Sequence, residues 1–287
     1  MEESSVRIVE LPGPLGAEVR GIDLREPVPD ALAHELRSAY ADRLLVLFRN
    51  QDLSAAEQER AVGIFGPVLD EFGDGKTHSF VSNISDSGLG GTADQELIFH
   101  SDMTNTGSPA SGLSLYALEM TEGAANTRFA NAQRGYRVLP PSLRQQAEDL
   151  TVIDGAKDPE QYDRSPELLL ADTHSAVITH PRNGKPQLYC NLMWTHRVVG
   201  MEDSAAREVL DSLFQHLYDA SNIYEHRWEV GDLVVWDNIA VQHSRGPIPE
   251  GCRRRFRRVA IGTSTPQFVS AMRAVRDRSL VFSKKTT

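Results

Sequence analysis

The hydrophobic period of the chain changes several times along its length, and each change predicts an element. Val6-Arg7-Ile8-Val9-Glu10-Leu11 alternates apolar with polar positions, as a half-buried strand does, before Pro12-Gly13-Pro14-Leu15-Gly16 turns the chain. Residues 17 to 24 alternate again. Over residues 29 to 44 the period becomes four, with Leu32, Leu36, Tyr40 and Leu44 on one stripe, which predicts an amphipathic helix. Leu44-Leu45-Val46-Leu47-Phe48-Arg49 is an apolar run of strand length, predicted to be buried on both faces. Ser54-Ala55-Ala56-Glu57 has capping-box spacing and predicts a helix start. Phe65-Gly66-Pro67 predicts its end, with Gly66 in a left-handed cap and Pro67 unable to continue the helix.

Residues 112 to 118, 127 to 130 and 188 to 192 read as strands, and 141 to 150 as a short helix. Ser204 is placed to cap a helix whose core stripe is Val209, Leu210, Leu213, Phe214 and Leu217. After a turn at Trp228-Glu229-Val230-Gly231-Asp232, the run Leu233-Val234-Val235-Trp236 reads as a buried strand that delivers Asp237, Asn238 and His243. Gly246-Pro247-Ile248-Pro249-Glu250-Gly251 then reads as a hairpin loop. Two stretches resist patterning and read as lid segments: the Gly-rich residues 70 to 97 and the polar residues 151 to 175. Periodicity alone supports a mixed, strand-rich unit, and the 287 residues are taken as a single domain.

Composition narrows the function classes. Hydrophobic residues at 40% and charged residues at 24% fit a soluble globular protein. The formal charge of -10 is the wrong sign for nucleic acid as a general partner. No run approaches the ~18 apolar residues of a membrane helix. Met1-Glu2-Glu3-Ser4-Ser5 is acidic and polar where a signal peptide is basic and then apolar, so cytoplasm is the expected location. Cys190 and Cys252 form no disulfide framework or zinc signature and read as reduced thiols.

The chemistry concentrates in Phe99-His100-Ser101-Asp102 and, far downstream, His243. A His and an Asp two apart on an extended segment share a face. A third imidazole completes the two-His, one-carboxylate set that leaves one face of a non-heme Fe(II) open. Among nine histidines, only His100 is followed two residues later by Asp. That spacing alone is weak, since it arises readily by chance and a lone His is more often a surface or core residue.

A second feature follows His243. Arg253-Arg254-Arg255-Phe256-Arg257-Arg258 leads into Val259-Ala260-Ile261, and as a strand it puts Arg254, Phe256 and Arg258 on one face. Arg254 and Arg258 are then about 13 Å apart, enough to hold two anions or opposite ends of one pocket. Guanidinium suits carboxylate because its fork donates two parallel hydrogen bonds. The three arginines of the other face are expected to pair with surplus acids.

Together with Gly16-Ala17-Glu18-Val19-Arg20-Gly21-Ile22-Asp23-Leu24, Phe48-Arg49-Asn50-Gln51-Asp52-Leu53-Ser54 and Trp236-Asp237-Asn238, these features resemble the Fe(II)/2-oxoglutarate dioxygenases of the TauD/TfdA family over almost the whole length. The resemblance implies a mainly β fold with flanking helices, a double-stranded β-helix of the jelly-roll, cupin-like kind. It implies Fe(II) on His100, Asp102 and His243, with 2-oxoglutarate and O2 as cosubstrates. Arg254, eleven residues past His243, matches the arginine that binds the far carboxylate of 2-oxoglutarate, and Thr127 the threonine that also contacts it. Arg258 matches an arginine that grips an anionic substrate.

The implied reaction forms succinate and CO2 and oxidises a substrate C–H, with hydroxylation as the default outcome and desaturation or cyclisation as alternatives. Asp102 argues against a halogenase. The implied partner is a small molecule bearing a carboxylate or other anionic group, and family members are often homodimers or homotetramers.

The sequence departs from the family at Ala124-Ala125-Asn126-Thr127, where Gly-Gly-Asp-Thr is usual, and at Phe99, where Trp is frequent. Glu96 stands where taurine dioxygenases carry a substrate-touching Asn; facing the pocket, it would favour an ammonium or another donor. Asn105 and His78 complete the expected substrate contacts. A jelly-roll protein that binds metal or a small anion without turnover, and an arginine strand that binds nucleic acid, are the readings from other classes. Succinate formation, or salt-sensitive association with an oligonucleotide, separates them.

Overall fold

The structure, a computed structural model, describes residues 6–84, 96–106, 109–155, 172–263, 265–266, 269–270 and 272–273. In chain order its elements are β1 (Arg7–Glu10), β2 (Ala17–Arg20), α1 (Asp30–Arg43), β3 (Leu45–Phe48), α2 (Ala55–Val62), β4 (Ser79–Ser82), β5 (Leu97–His100), β6 (Gly112–Met120) and β7 (Thr127–Asn131). There follow α3 (Ala132–Arg137), α4 (Pro141–Asp149), β8 (Thr151–Asp154), β9 (Asp172–Ser175), β10 (Val177–Thr179), β11 (Pro186–Leu188) and β12 (Thr195–Val198). The last third holds α5 (Asp203–Leu217), β13 (Ile223–His226), β14 (Leu233–Asp237), β15 (Val241–Arg245) and β16 (Arg254–Ile261).

Seven strands pair in the order β1-β2-β3-β14-β6-β16-β4, and four in the order β13-β7-β15-β5. Leu113, Leu115, Val234, Trp236 and Phe256 of the larger sheet meet Phe129 and Val241 of the smaller in one buried cluster, so the main core lies between the two sheets. Phe129 sits edge-on to Trp236 with ring centroids 5.3 Å apart. Burying a side chain of that size contributes roughly 1.5–3 kcal/mol. The outer face of the larger sheet, through Tyr116, Leu233, Val235 and Val259, is covered by Leu36 and Tyr40 of α1 and by Val62 and Phe65 at and beyond the end of α2. A third cluster packs the predicted α5 stripe against β8, β11 and β12. Two facing sheets with helices on the outside make this a jelly roll.

Several sequence expectations are corrected. Ser54 and Glu57 do form the capping box, but α2 ends at Val62 with Gly63 in a right-handed cap, one turn before Gly66. The helix at 203 starts on Glu202, with no side-chain cap from Ser204. Residues 189 to 192 are not a strand; Asn191 instead accepts the backbone N–H groups of Met193 and Trp194. Residues 246 to 251 are not a hairpin loop, because β15 belongs to the smaller sheet and β16 to the larger. The first expected lid contributes β4, which pairs with β16, and the second contributes β8 and β9; residues 85–95 and 156–171 lie outside the described residues. Among the described residues no helix is long and apolar enough to cross a membrane.

Candidate active site

His100 ends β5 and His243 is the third residue of β15, and the two are direct cross-strand partners. Residues opposite each other on paired strands project to the same side, and here the two rings stand 4.3 Å apart between centroids. Asp102 arrives differently from the strand alternation expected of it. It lies in a turn past the end of β5, followed by Met103 at a φ of 65°. The turn is fixed from 136 residues away: Asn238 Oδ1 accepts the Asp102 N–H at 2.9 Å, and Asn238 Nδ2 donates to the carbonyls of Asp102 at 3.0 Å and Ala110 at 2.9 Å. Asn238 is itself set in a turn whose Asp237 accepts the N–H groups of Ile239 and Ala240.

Asp102 Oδ1 lies 3.2 Å from His100 Nε2 and 3.8 Å from His243 Nε2. Donor atoms of all three residues lie within 4.8 Å of one another. Two ligands at right angles on an ion with ~2.1 Å bonds stand roughly 3 Å apart, so the spacing suits one shared ion. His100 Nδ1 faces the Ile98 carbonyl at 2.8 Å, and since a carbonyl only accepts, Nδ1 carries the proton there. Its Nε2 lone pair is then aimed at a carboxylate oxygen, and either a further proton or a cation must lie between them.

Two of the three groups are held in forms that ligate metals. Burial disfavours charge on Asp102, but the His100 hydrogen bond and the Arg258 guanidinium overcome it and hold this carboxyl far below the usual range. Burial, and secondly His100, push His243 down to about 3, leaving a neutral imidazole at neutral pH. The set is a carboxylate with a neutral imidazole beside it, the forms in which these groups ligate metals.

Arg254 carries the second feature. It is 4% exposed, lies over the Phe256 ring at 4.6 Å and donates to the Ala125 carbonyl at 3.1 Å. Among the described residues no carboxylate pairs with it, and burial lowers its pKa to about 9. A buried guanidinium without a counter-ion is a receptor for an anion. Trp228 packs on the same Phe256 ring and donates through Nε1 to Thr127 Oγ1 at 2.9 Å. That leaves the proton of the buried Thr127 hydroxyl free to donate.

The other expected contacts are spread out. Arg258 donates from Nη2 to Asp102 Oδ2 at 2.9 Å and from Nη1 to Glu71. Asn105 is buried in the 3-10 turn after Asp102, its amide oxygen without a hydrogen-bond partner among the described residues. His78 is bonded to Glu59 of α2 at 2.8 Å, on the helix that covers the outer face of the sheet. Glu96 is turned to the surface, 52% exposed and paired with Arg128. With Arg128 and Glu225 it lines a surface cleft that none of the three clustered residues borders. On the outer face of β16, Arg253 pairs with Glu119, but Arg255 lies over Phe80 and Arg257 donates to Gln58 and to the Leu53 and Ser54 carbonyls. Only one of those three arginines meets an acid among the described residues, because α2 buries Arg257 and supplies neutral acceptors.

Sequence reasoning missed Glu71. It sits between Leu69 and Phe72, both buried, and that apolar flanking was the signal that it points inward.

The family described as taurine catabolism dioxygenase TauD, TfdA family matches residues 7–260. The chain belongs to this family. An Acinetobacter baylyi alkylsulfatase is 28% identical over 257 residues, covering 83% of this chain and 79% of the relative. An alpha-ketoglutarate-dependent 2,4-dichlorophenoxyacetate dioxygenase of Cupriavidus pinatubonensis is 28% identical over 275 residues, covering 84% of this chain and 92% of its own. The crystal structure of AAD-2 in complex with Mn(II) and N-oxalylglycine superposes with a TM-score of 0.77 at 23% identity, over 92% of this chain and 99% of that one. The jelly roll is thus the fold of TauD-like dioxygenases.

Proposed function

We propose that this TauD/TfdA-family enzyme is an Fe(II)- and 2-oxoglutarate-dependent oxygenase that oxidises, by default hydroxylates, an unactivated C–H of a small molecule, with succinate and CO2 as coproducts. The observation that carries this reading is the convergence of His100, Asp102 and His243 donor atoms within 4.8 Å. In it, His100 and His243 present Nε2 to the ion and Asp102 presents Oδ1. Ile98 fixes the ring of His100, and Arg258 occupies Oδ2 of Asp102, so that one oxygen is left for the metal. When bound, ferrous ion with 2-oxoglutarate and O2 supplies the oxidising power that no side chain has.

The chain's own part is placement. Arg254 and Thr127 take the far carboxylate of 2-oxoglutarate, with Ala125, Phe256 and Trp228 keeping both donors in place. Buried Phe129 and Trp236, both against His243, keep water from that side of the site. The test is succinate formation from 2-oxoglutarate in the presence of Fe(II) and O2. A His100→Ala variant should lose both this turnover and Mn(II) binding, the latter read by calorimetry. Absence of succinate from the wild-type protein, or unchanged Mn(II) binding in the variant, removes the basis of the reading.

A further inference from the structure

Glu71 is 2% exposed, although it lies in a stretch whose glycines and acids read as surface loop. One of its oxygens takes a hydrogen bond from Arg258 Nη1, and the other takes one from Ser79 Oγ at 3.3 Å. Arg258 Nη2 is on Asp102 Oδ2 at 2.9 Å. Each terminal nitrogen of this 5% exposed guanidinium therefore gives one N–H to a carboxyl oxygen. Glu71 and Asp102 both already draw on that one guanidinium, which weakens its hold on a further anion. An anionic ligand must share Arg258 with Glu71 and Asp102, or displace Glu71 and leave a buried carboxyl group unpaired, which is costly. Nearby in the chain, Asn105 is 3% exposed and its amide oxygen meets no donor among the described residues.

We infer that Glu71 sets the substrate class: the site takes a molecule that presents a hydrogen-bond donor and no strongly anionic group, in contrast to the anion that the arginine strand alone implies. This rests on the oxygenase reading above. Glu71 becomes a specificity-determining residue that works through Arg258, and removing its charge frees that guanidinium.

The test measures binding by calorimetry to the protein loaded with Fe(II) and 2-oxoglutarate without oxygen. The probes are 2,4-dichlorophenoxyacetate and its uncharged analogue 2-(2,4-dichlorophenoxy)ethanol. Wild-type protein should bind the alcohol at least as tightly as the acid. Glu71→Gln, which keeps the shape, should bind the acid roughly tenfold tighter than wild type, about the difference between a charge-assisted and a neutral hydrogen bond competing for Arg258. Adding Arg258→Met should abolish that gain. No gain in the variant overturns the inference, whether both proteins bind the acid or neither does. A wild-type preference for the acid overturns it independently of any variant, and Glu71→Ser is read in the same way should Glu71→Gln fold poorly. Succinate formation by the wild-type protein tests the oxygenase reading separately. Its absence sinks that reading, while succinate with no gain in acid binding sinks only the role of Glu71.

Discussion

Asn238 holds Asp102 by its main chain on both sides, accepting its N–H at 2.9 Å and donating to its carbonyl at 3.0 Å. The side chain of Asp102 is left untouched by this grip and free to ligate. Replacing Asn238 by Ala strands a buried N–H and two carbonyls, which costs roughly 1–3 kcal/mol of stability. It also loosens the turn that aims the carboxylate, and such supporting contacts are worth about 10- to 100-fold in metal affinity. Mn(II) titration of folded Asn238→Ala should show that weakening. Wild-type affinity in the variant would mean that the turn holds itself.

Arg254 gives a separable effect. Arg254→Met keeps the apolar contact with Phe256 and removes the anion receptor. The Kd for 2-oxoglutarate should rise at least about tenfold, since hydrogen bonds to charged groups are worth about 1.5–3 kcal/mol. Mn(II) binding should stay unchanged. Because the lost charge is buried without a carboxylate partner among the described residues, the variant should be as stable as wild type or more so. A lower melting temperature together with an unaltered Kd would show that Arg254 serves the fold alone.

Gly231 carries a backbone demand. Its φ is +88°, and a Cβ there would stand 2.7 Å from the backbone oxygen of Gln51, the residue whose N–H bonds to Gly231. Gly231→Ala should lose roughly 1–3 kcal/mol of unfolding free energy in urea titrations, whereas a neutral result would require the Gln51 turn to shift at no cost.

A buried histidine and a half-buried one shift in opposite directions. His226 is hydrogen-bonded to Asp232 at 3.1 Å, yet burial outweighs that carboxylate and holds the ring below the ordinary imidazole value. Unfolded, it titrates near ~6.5. Below that pH the unfolded chain takes the proton first, so His226 lowers stability on acidification. Burial also opposes charge on His174, but there Asp154 at 3.3 Å and the Ser175 carbonyl prevail and raise its pKa. Its contribution is full below ~6.5 and fades as pH rises through the raised folded value. Urea unfolding between about pH 5 and 7.5 should show less acid loss of stability in His226→Gln than in wild type, and more in His174→Gln. Equal slopes in all three proteins would contradict both shifts.

Elements with one dominant local cause were legible in the sequence. The four-residue stripe ending at Leu44, the apolar run of β3, the Ser54–Glu57 capping box and the α5 stripe each depend on neighbours in the chain. What escaped depends on partners far away. The segment after β15 looked like a hairpin because Gly and Pro mark a turn without saying which sheet receives the next strand. Arg257 looked like a surface charge because nothing local reveals that Gln58 of α2 packs over it. Glu71 and Glu96 are the same residue type near the same glycines, and one is buried against Arg258 while the other faces solvent. Composition cannot tell them apart; the buried Leu69 and Phe72 beside Glu71 are the one local difference.

The crossover at residues 246 to 253 has a consequence for chemical selectivity. It joins β15, which carries His243, to β16, which carries Arg254, the two residues that the proposed function assigns to opposite ends of one keto diacid. Pro247 and Pro249 stiffen it. Because β15 is held by β5 and β7 and β16 by β4 and β6, the reach between the two residues is built into the two sheets, and a longer or shorter spacer should leave it unchanged.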